Sequence, residues 1–456
     1  MKKFITIIIL FMTTTSQANI SLPSIFGNHM VMQQNSEVKI WGWADPNEEI
    51  TITTSWNSEE IKTTGNNLAQ WSAILKTPKS GKTHTITIQG YNKIIIEDIL
   101  MGEVWLCSGQ SNMQWSASAG IDDKEKHIAN ANYPEIRFFS VPKKTSDYPQ
   151  LDVKAQWVKC SPETMQYFSA VSYFFGQKIH SELNVPVGLI NSSWGGTPAE
   201  IWVPKDAIEA NEIVNEASKK LKEEPWGPFQ PGKAYNAMIA PIIPFKIAGT
   251  LWYQGETNTQ NSSTYSKLLT TLINSWRDEW NEDFPFYFAQ IAPFDYGDDN
   301  FSGVEIRDQQ RRVLNVDKTG MIVLSDIGNL DDIHPQNKYD VGIRFANLAL
   351  NKSYGKSNFQ YSGPLYKSSK IKKDCIIISF DFYDGLTSMD KKLRFFEIAG
   401  SDGVFFPADA KIKGKTIEVK SKEVKNPVKV RYAWKNAIIP TLTNSTGLPA
   451  SSFITD

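Results

Sequence analysis

A serine that follows a predicted strand is the first candidate nucleophile in the chain. The segment Val104-Trp-Leu-Cys-Ser-Gly-Gln-Ser-Asn-Met passes from an apolar run into a turn and then a helix. A serine in such a turn places its hydroxyl at the carboxyl edge of the sheet, where the helix N-terminus favours developing negative charge. Ser111 fits this position better than Ser108, which is still close to the strand. The alternative is that Ser111 only caps the helix.

A histidine that could act as the base lies much later in the chain. Among the five histidines, only His334 has a carboxylate three residues before it, in the segment Asp331-Asp-Ile-His-Pro. A serine nucleophile needs a base to take its proton, and the base needs a carboxylate that fixes its tautomer and stabilises its cationic form. Asp331 and His334 supply both groups from one loop.

Two further segments could stabilise the oxyanion of an acyl-transfer reaction. Leu189-Ile-Asn-Ser-Ser-Trp-Gly-Gly-Thr carries paired glycines shortly after a strand, where backbone N–H groups can approach a substrate closely. Leu251-Trp-Tyr-Gln-Gly-Glu-Thr-Asn ends another strand with amide and carboxylate side chains. Each segment alone is weak evidence, but polar motifs after four of the five predicted strands are hard to obtain by accident.

The elements that must position these residues alternate between strands and helices. Apolar runs predict strands at residues 103–107, 187–191, 249–253, 286–291 and 321–324, and amphipathic stretches predict helices at residues 170–183, 265–280, 304–313 and 339–350. This alternation is typical of an α/β fold with a mostly parallel sheet flanked by helices. Ligand sites in such sheets lie at the carboxyl ends of the strands, which is where the candidate residues fall.

The regions on either side of this unit have shorter strand patterns separated by turn residues. They predict an N-terminal β-sandwich-like domain over residues 19–100 and a C-terminal β-rich region over residues 356–456, around a catalytic domain of residues 101–355. Residues 205–232 look like an excursion from the α/β unit. This excursion is either a lid that contacts substrate or a plain surface insertion.

The N-terminus has the pattern of a cleaved export signal. Lys2 and Lys3 precede a mostly apolar run, and small residues at Ser16 and Ala18 suit cleavage after Ala18. The run is too short to span a bilayer, and no later apolar run is long enough, so we expect no membrane span after cleavage. Secretion or a periplasmic location is therefore expected, and the scarcity of cysteine favours the periplasm.

Composition excludes several classes of partner. The chain has 456 residues with 48 Lys+Arg against 49 Asp+Glu, so it lacks the basic excess typical of proteins that bind nucleic acid. No His-x-x-x-His or Cys-x-x-Cys spacing is present, so no metal and no other cofactor is expected. The three cysteines allow at most one disulfide, and Cys107 fits a buried small residue better than a nucleophile. The sequence indicates no particular oligomeric state.

The four polar motifs resemble the characteristic blocks of SGNH-type hydrolases. One motif is similar to that of the sialate O-acetylesterase family: Gly102-Glu-Val-Trp-Leu-Cys-Ser-Gly-Gln-Ser-Asn-Met. The resemblance extends over almost the whole mature chain, through Trp252-Tyr-Gln-Gly-Glu-Thr-Asn and Val430-Arg-Tyr-Ala-Trp. The resemblance implies an SGNH-hydrolase-like sheet. It also implies a carbohydrate esterase that removes O-acetyl groups from sialic acids through an acyl-enzyme.

The resemblance also implies a role for each motif residue. Ser111 would be the nucleophile, His334 the base and then the acid, and Asp331 the orienting carboxylate, with Asp332 as the alternative. The oxyanion would receive the backbone N–H groups of Ser111 and Gly196. Thr257 stands where the superfamily has its oxyanion asparagine. That role would pass to the side chain of Gln254, or otherwise to that of Asn258.

The partner implied is an O-acetylated sialic acid or another acetylated glycan. Trp115, Trp194 and Trp226 lie in or beside the motifs and the excursion, so they are candidates for stacking on a sugar ring, although core packing is the commoner fate of tryptophan. Related families deacetylate xylan and other polysaccharides, which is the alternative within the same chemistry. A non-catalytic glycan-binding protein would have no reason to combine Ser111 with Asp331 and His334.

Overall fold

The N-terminal region is built from short strands whose side chains alternate between core and solvent. The computed structural model describes residues 19–297, 300–390 and 392–455. Strand β3 pairs antiparallel with β4 and β6, and β2 pairs with β5 in a separate two-stranded ribbon. In β2, Val38 and Ile40 are buried while Lys39 is exposed, as the two-residue period of a strand requires. The strands are β1 (Val31–Gln33), β2 (Glu37–Trp43), β3 (Glu49–Thr54), β4 (Asn57–Thr64), β5 (Gln70–Lys76) and β6 (His84–Gln89).

A single long strand, β7 (Lys93–Gly109), belongs to both the N-terminal region and the central sheet. Its first half pairs antiparallel with β6, from Lys93 to Ile99. Its second half lies between two parallel neighbours of the central sheet. The domain boundary predicted at residue 100 therefore lies inside one continuous strand.

The central sheet continues with β8 (Tyr133–Ser140), β9 (Trp157–Cys160), β10 (Val187–Ser193), β11 (Gly249–Tyr253), β12 (Phe286–Ala289) and β13 (Thr319–Ile322). Its strand order is β13-β12-β11-β7-β10-β8-β9, and every pair is parallel except β8 with β9. The chain leaves β7 towards the β10–β8 side and later returns to build the β11 side. This reversal of strand order beside β7 is where open α/β sheets bind ligands.

Helices cover both faces of the sheet. Buried aromatic and aliphatic residues of α4 and α9 pack on one face, and those of α7 pack on the other. The helix α7 is amphipathic, with Leu269, Leu272 and Trp276 in the core. Short 3-10 segments lie at Ala117–Ala119, Ala199–Trp202, Ala240–Ile242, Thr257–Thr264 and Val313–Asn315, and a π-helical turn lies at Tyr235–Ile239. The α-helices are α1 (Ser111–Gln114), α2 (Lys124–Ala129), α3 (Pro162–Met165), α4 (Ala170–Leu183), α5 (Lys205–Glu209), α6 (Glu212–Ser218), α7 (Tyr265–Trp280), α8 (Ser302–Arg312) and α9 (Lys338–Lys352).

The C-terminal region is all β and is fastened to α8. The buried Arg307 donates hydrogen bonds to the backbone carbonyl groups of Lys435 and Asn436, and burial lowers the pKa of Arg307 to about 10. The strands are β14 (Leu365–Lys372), β15 (Cys375–Asp381), β16 (Thr387–Ser388), β17 (Phe396–Ala399), β18 (Phe405–Pro407), β19 (Asp409–Lys413), β20 (Thr416–Lys420), β21 (Lys429–Tyr432), β22 (Leu442–Thr443) and β23 (Phe453–Ile454). They form two four-stranded sheets and one two-stranded sheet.

The predicted fold class is confirmed: a largely parallel sheet flanked by helices carries β-rich regions at both ends. The bounds predicted for α4, α7 and β11 agree with the structure. Strands β8 and β9 of the central sheet were not predicted, since polar residues such as Arg137 interrupt their apolar pattern. The predicted signal segment, residues 1–18, lies outside the described residues.

Candidate active site

Ser111 lies directly after the carboxyl end of β7 and begins α1. The chain turns at Gly109, whose φ is +137° and where an added Cβ would lie 2.1 Å from the carbonyl oxygen of Tyr253, so the tight turn requires glycine. Ser108 stays within the strand, fully buried. The turn therefore presents Ser111, and not Ser108, at the edge of the sheet.

The structure brings Ser111 and His334 together from distant parts of the chain. The Nε2 atom of His334 lies 2.9 Å from the Oγ atom of Ser111, which is hydrogen-bonding distance. The His334 side chain is 28% exposed, so one side of the pair opens to solvent and to an incoming ester. This is the geometry in which a histidine can take the proton of a serine hydroxyl.

The carboxylate nearest His334 is that of Asp332, which corrects the predicted contact with Asp331. The Oδ1 atom of Asp332 accepts the backbone N–H of His334 at 2.8 Å and lies 4.0 Å from its Nδ1 atom. Asp331 is exposed, and its backbone N–H is bound by the side chain of Asn329. The tight turn over Asp332 and His334 places the closer carboxylate beside the ring, although the sequence spacing pointed to the other one.

Trp115 fixes the plane of the His334 ring. The two rings are stacked with centroids 4.3 Å apart and an interplanar angle of 17°. The indole N–H of Trp115 donates to the carbonyl oxygen of Gly120 at 2.6 Å, which anchors the tryptophan itself. Burial lowers the pKa of His334, as does the nearby Lys338, whereas Asp332 raises it. The net direction favours the neutral imidazole, which is the form that can act as a base.

Backbone N–H groups suited to an oxyanion lie beside Ser111. Gly195 lies against the nucleophile, since an added Cβ there would be 3.2 Å from the Cβ of Ser111. The N–H of Gly195 is used by the Oε1 atom of Gln114, at 2.8 Å. Among the described residues, no protein acceptor takes the N–H of Ser111 or that of Gly196. These two groups remain the predicted oxyanion donors.

The side-chain amides of Gln254 and Asn258 are not available as oxyanion donors. This corrects the prediction that one of them is the third donor, beside the backbone N–H groups of Ser111 and Gly196. The Gln254 NH₂ donates to Thr197 O at 3.3 Å and to Asn258 Oδ1 at 2.7 Å. The Asn258 NH₂ donates to Glu200 at 2.9 Å and to Asn261 at 3.2 Å. Since an amide has only two N–H donors, both side chains are fully used in a buried network that holds the β11 turn.

Trp226, within the excursion at residues 205–232, lies over Gly196. The indole N–H of Trp226 donates to the carbonyl oxygen of Gly196 at 3.1 Å, and the Trp226 side chain is 57% exposed. Trp194 is half-buried against the core, and the Nζ atom of Lys143 lies 6.0 Å from its ring centroid. Of the three predicted sugar-stacking residues, Trp226 has a free face, whereas Trp115 is stacked on His334.

Three buried polar residues next to the pair were missed by sequence reasoning. Asn112, Glu256 and Lys338 are each at most 5% exposed and interact behind Ser111 and His334. Asn112 and Glu256 lie inside recognised motifs, so their polarity within apolar surroundings was an available signal. Lys338 carried no such signal, because lysine is almost always exposed and this one begins an ordinary amphipathic helix.

Other candidate chemistry finds no support in the described part of the chain. Residues 19–297, 300–390 and 392–455 contain no group of three His, Cys, Asp or Glu side chains placed to hold a metal ion. All three cysteines are free and buried, and burial raises the pKa of Cys107 to about 12. A thiol with so high a pKa is a poor nucleophile. None of the helices in these residues is both long and apolar enough to cross a membrane.

Comparison with known proteins shows the family to which the chain is similar. Residues 101–351, more than half of the chain, match the family model described as carbohydrate esterase, sialic acid-specific acetylesterase. The sialate O-acetylesterase of Homo sapiens is 29% identical over 416 residues, covering 82% of this chain and 79% of that protein. The mouse sialate O-acetylesterase is 28% identical over 441 residues, covering 82% of this chain and 81% of its own.

A solved structure extends the similarity to the whole fold. The crystal structure of a carbohydrate acetylesterase from Xanthomonas citri has a TM-score of 0.87 and 33% sequence identity, covering 96% of this chain and 100% of that one. Fold and site together define an esterase. The chain belongs to the carbohydrate esterase, sialic acid-specific acetylesterase family, which confirms the resemblance found in the sequence.

Proposed function

We propose that this esterase removes O-acetyl groups from sialic acids, with Ser111 as nucleophile and His334 as base. The observation that carries the proposal is the 2.9 Å contact between Ser111 Oγ and His334 Nε2 at the carboxyl end of β7. The relatives named sialate O-acetylesterases support the substrate.

In the first stage, the Oγ atom of Ser111 attacks the acetyl carbonyl carbon while His334 takes the hydroxyl proton. The negative charge that develops on the carbonyl oxygen is stabilised by the backbone N–H groups of Ser111 and Gly196. The bond to the sugar oxygen then breaks, and the sugar leaves as an alcohol with the proton from His334. The product is an acetyl group esterified to Ser111.

In the second stage, water attacks the acetyl-serine while His334 takes its proton. The tetrahedral intermediate collapses, acetate leaves, and the proton returns to Ser111. Asp332 stabilises the imidazolium in both stages through its charge, since 4.0 Å is too long for a hydrogen bond to Nδ1. The carboxylate that stabilises the imidazolium in this proposal is thus Asp332, in place of Asp331.

Another acetylated glycan is the second candidate substrate. The Xanthomonas citri structure, which is 33% identical over nearly the whole chain, bears the broader name carbohydrate acetylesterase. An acetylated plant polysaccharide such as acetylxylan would use the same chemistry at Ser111. The acyl group and the nucleophile are common to both candidates, and they differ only in the sugar that leaves.

The test compares acetate release from O-acetylated sialic acid and from acetylated xylan, with 4-nitrophenyl acetate as a small ester. We expect faster release from sialic acid, and loss of all three activities by about 10⁴-fold or more in Ser111→Ala. Ser108→Ala is the matched control and should retain activity, because Ser108 is buried within β7. Full activity in Ser111→Ala would contradict the assignment of Ser111 as nucleophile. Faster release of acetate from acetylated xylan would contradict sialic acid as the substrate.

Export through a cleaved signal segment is part of the same proposal. Lys2, Lys3 and the apolar run after them support it, together with an O-acetylated glycan as an extracellular or periplasmic substrate. The test is N-terminal sequencing of the protein after expression in a bacterial host, with cell fractions assayed for esterase activity. A protein that begins at Asn19 in the exported fraction is expected, and an uncleaved cytoplasmic product would contradict it.

A further inference from the structure

A buried charged cluster lies behind Ser111 and His334. The Nζ atom of Lys338 donates to the Oδ1 atom of Asn112 at 2.6 Å. The NH₂ group of Asn112 donates to Glu256 Oε1 at 2.7 Å and to Ile333 O at 3.0 Å. Asn112 thus joins the turn of the nucleophile to the backbone that precedes the base.

The cluster does little to stabilise the folded protein. Lys338 is 1% exposed and Glu256 is 5% exposed, and the second carboxylate oxygen of Glu256 is buried without a hydrogen-bond partner. Burying charges destabilises the folded state, and an unpaired polar atom adds to this cost. Apolar residues of similar size would often be at least as stable. Retaining these charges next to the reacting pair therefore indicates a functional role.

The charged and titratable groups that face Lys338 come from several elements. Glu256 lies on the turn after β11, and Asp332 and His334 lie on the loop before α9. The rings of Trp115 and Tyr253 lie 5.9 and 6.0 Å from the Nζ atom. Burial lowers the pKa of Lys338 to about 7, against the opposing effect of Glu256 and Asp332. Lys338 is thus cationic over the pH range in which a histidine of lowered pKa gains its proton.

We propose that Lys338, held by Asn112, is a positioning residue of this esterase: its buried positive charge keeps His334 neutral and extends activity to lower pH. The inference rests on the proposed function of Ser111 and His334. The Nζ atom of Lys338 lies 5.9 Å from the ring of Trp115, on which His334 stacks at 4.3 Å. A cation near the imidazole disfavours the imidazolium, so Lys338 acts in the same direction as burial on the pKa of His334. Asp332 acts in the opposite direction, and the balance of the two sets the acid limit of activity.

Removing the charge of Lys338 should move the pH dependence of activity to higher pH. Activity requires neutral His334, so kcat/KM rises with pH through the pKa of His334. In Lys338→Met the charge is lost and the chain length is kept, so the pKa of His334 rises. We expect the acid limb of kcat/KM to move up by about half to one pH unit, which lowers activity roughly three- to tenfold at pH 5 and leaves it nearly unchanged at pH 8.

The matched control is Lys352→Met, at the other end of α9. Lys352 also has a pKa lowered by burial, and it donates to the carbonyl oxygen of Thr319 at 2.8 Å, but it makes no contact with the Ser111–His334 pair. Its pH profile should match that of the unaltered protein. An equal shift in both variants would overturn the proposal, as would superimposable profiles for Lys338→Met and the unaltered protein.

A second variant guards against misfolding. Lys338→Met alone leaves Glu256 without its cation, whereas the double variant Glu256→Gln with Lys338→Met is uncharged. We expect the double variant to melt above Lys338→Met, because no buried charge is left unpaired, and to keep the displaced acid limb, because the cation of Lys338 is still absent. An acid limb restored to its original position in the double variant would contradict a direct action of Lys338.

The proposal is also testable without catalysis. The NMR titration of the His334 ring in the Ser111→Ala background should give a higher pKa when Lys338→Met is added. An unchanged His334 titration would overturn the inference even if the esterase activity is confirmed. If no ester is hydrolysed, the proposed function fails, and the same titration still decides whether Lys338 controls the protonation of His334.

Discussion

Asp332 and Asp331 are neighbours in sequence but face different surroundings. Asp332 accepts the backbone N–H of His334 and thereby stays beside the ring, whereas Asp331 is exposed. Sequence reasoning found Ser111 because it lies in the turn after a predicted strand, and His334 because it alone among the five histidines has a carboxylate three residues before it. It gave the nearer carboxylate, Asp332, only as the alternative, because that choice depends on the backbone conformation of a three-residue turn. It missed Lys338 because the burial of a lysine has no signature in hydrophobic periodicity.

The two aspartates give a matched pair of substitutions at this scale. Asp332→Asn should lower kcat/KM by about 10- to 100-fold, less than the loss for a buried triad carboxylate, because Asp332 is half-exposed and 4.0 Å from Nδ1. Asp331→Asn should change it by less than about threefold, as expected of an exposed group. Steady-state kinetics at pH 8 measure both. The reverse ranking would restore the carboxylate chosen from sequence spacing.

At the scale of elements, the site is assembled by turns rather than by the helices and strands themselves. The bounds of α4 and α7 follow from helical periodicity, because each buries an apolar face, and those of β11 follow from a short apolar run that is buried on both faces. The packing of the excursion onto the turn after β10 could not be predicted, because it depends on a glycine with φ of +74° and a tryptophan 30 residues later in sequence. Such long-range contacts have no local pattern in the sequence.

Gly196 tests how the excursion supports the oxyanion donors. In Gly196→Ala the new Cβ would lie 2.2 Å from the Cδ1 atom of Trp226, so Trp226 or the turn must move. We expect kcat to fall by about 10²-fold, the size of losing one oxyanion donor. Gly414→Ala has a similar positive φ of +60° with no atom nearby, so it should cost stability but not kcat.

Removing the side chain of Trp226 separates the two causes of a lower kcat in Gly196→Ala, which are the steric clash and the backbone strain. In the double variant Gly196→Ala with Trp226→Ala, the steric clash is absent and only the backbone strain remains. Recovery of at least part of kcat on 4-nitrophenyl acetate is expected. If the double variant is as impaired as Gly196→Ala alone, the contact with Trp226 is not what positions the Gly196 N–H.

At the scale of the whole molecule, a shared strand and buried hydrogen bonds cross the boundaries of the three predicted regions. Strand β7 is shared between the N-terminal region and the central sheet. Buried Glu103 accepts hydrogen bonds from Gln33 and Gln34 on one side and from Tyr354 on the other. Changes in the residue pattern indicated where the chain passes from β-rich to α/β structure. They carry no information on a strand, such as β7, that belongs to both the N-terminal region and the central sheet.

Truncation should reveal this dependence. A fragment that begins at Met101 loses half of β7 and exposes the apolar residues that pack on it, so we expect it to aggregate or to lack a cooperative thermal transition. A fragment that begins at Asn19 retains every described element and should melt as the exported protein does. Solubility and scanning calorimetry of the two fragments measure the difference. A stable, active fragment from Met101 would show that the central unit folds alone.

Because β7 is one continuous strand, it links the register of the N-terminal sheet to the position of the nucleophile. The register between β6 and β7 already shifts by one residue near Asp98, whose φ is +55°, so adding a further residue near Leu100 would invert the faces of the second half of β7 relative to the first. The inserted residue would also displace the nucleophile by about 3.3 Å along the strand relative to the N-terminal sheet. We therefore expect insertions and deletions to be tolerated better in the loops around this strand than in the part of it between Leu100 and Gly109. The spacing between the N-terminal sheet and Ser111 is as constrained as the identity of the serine itself.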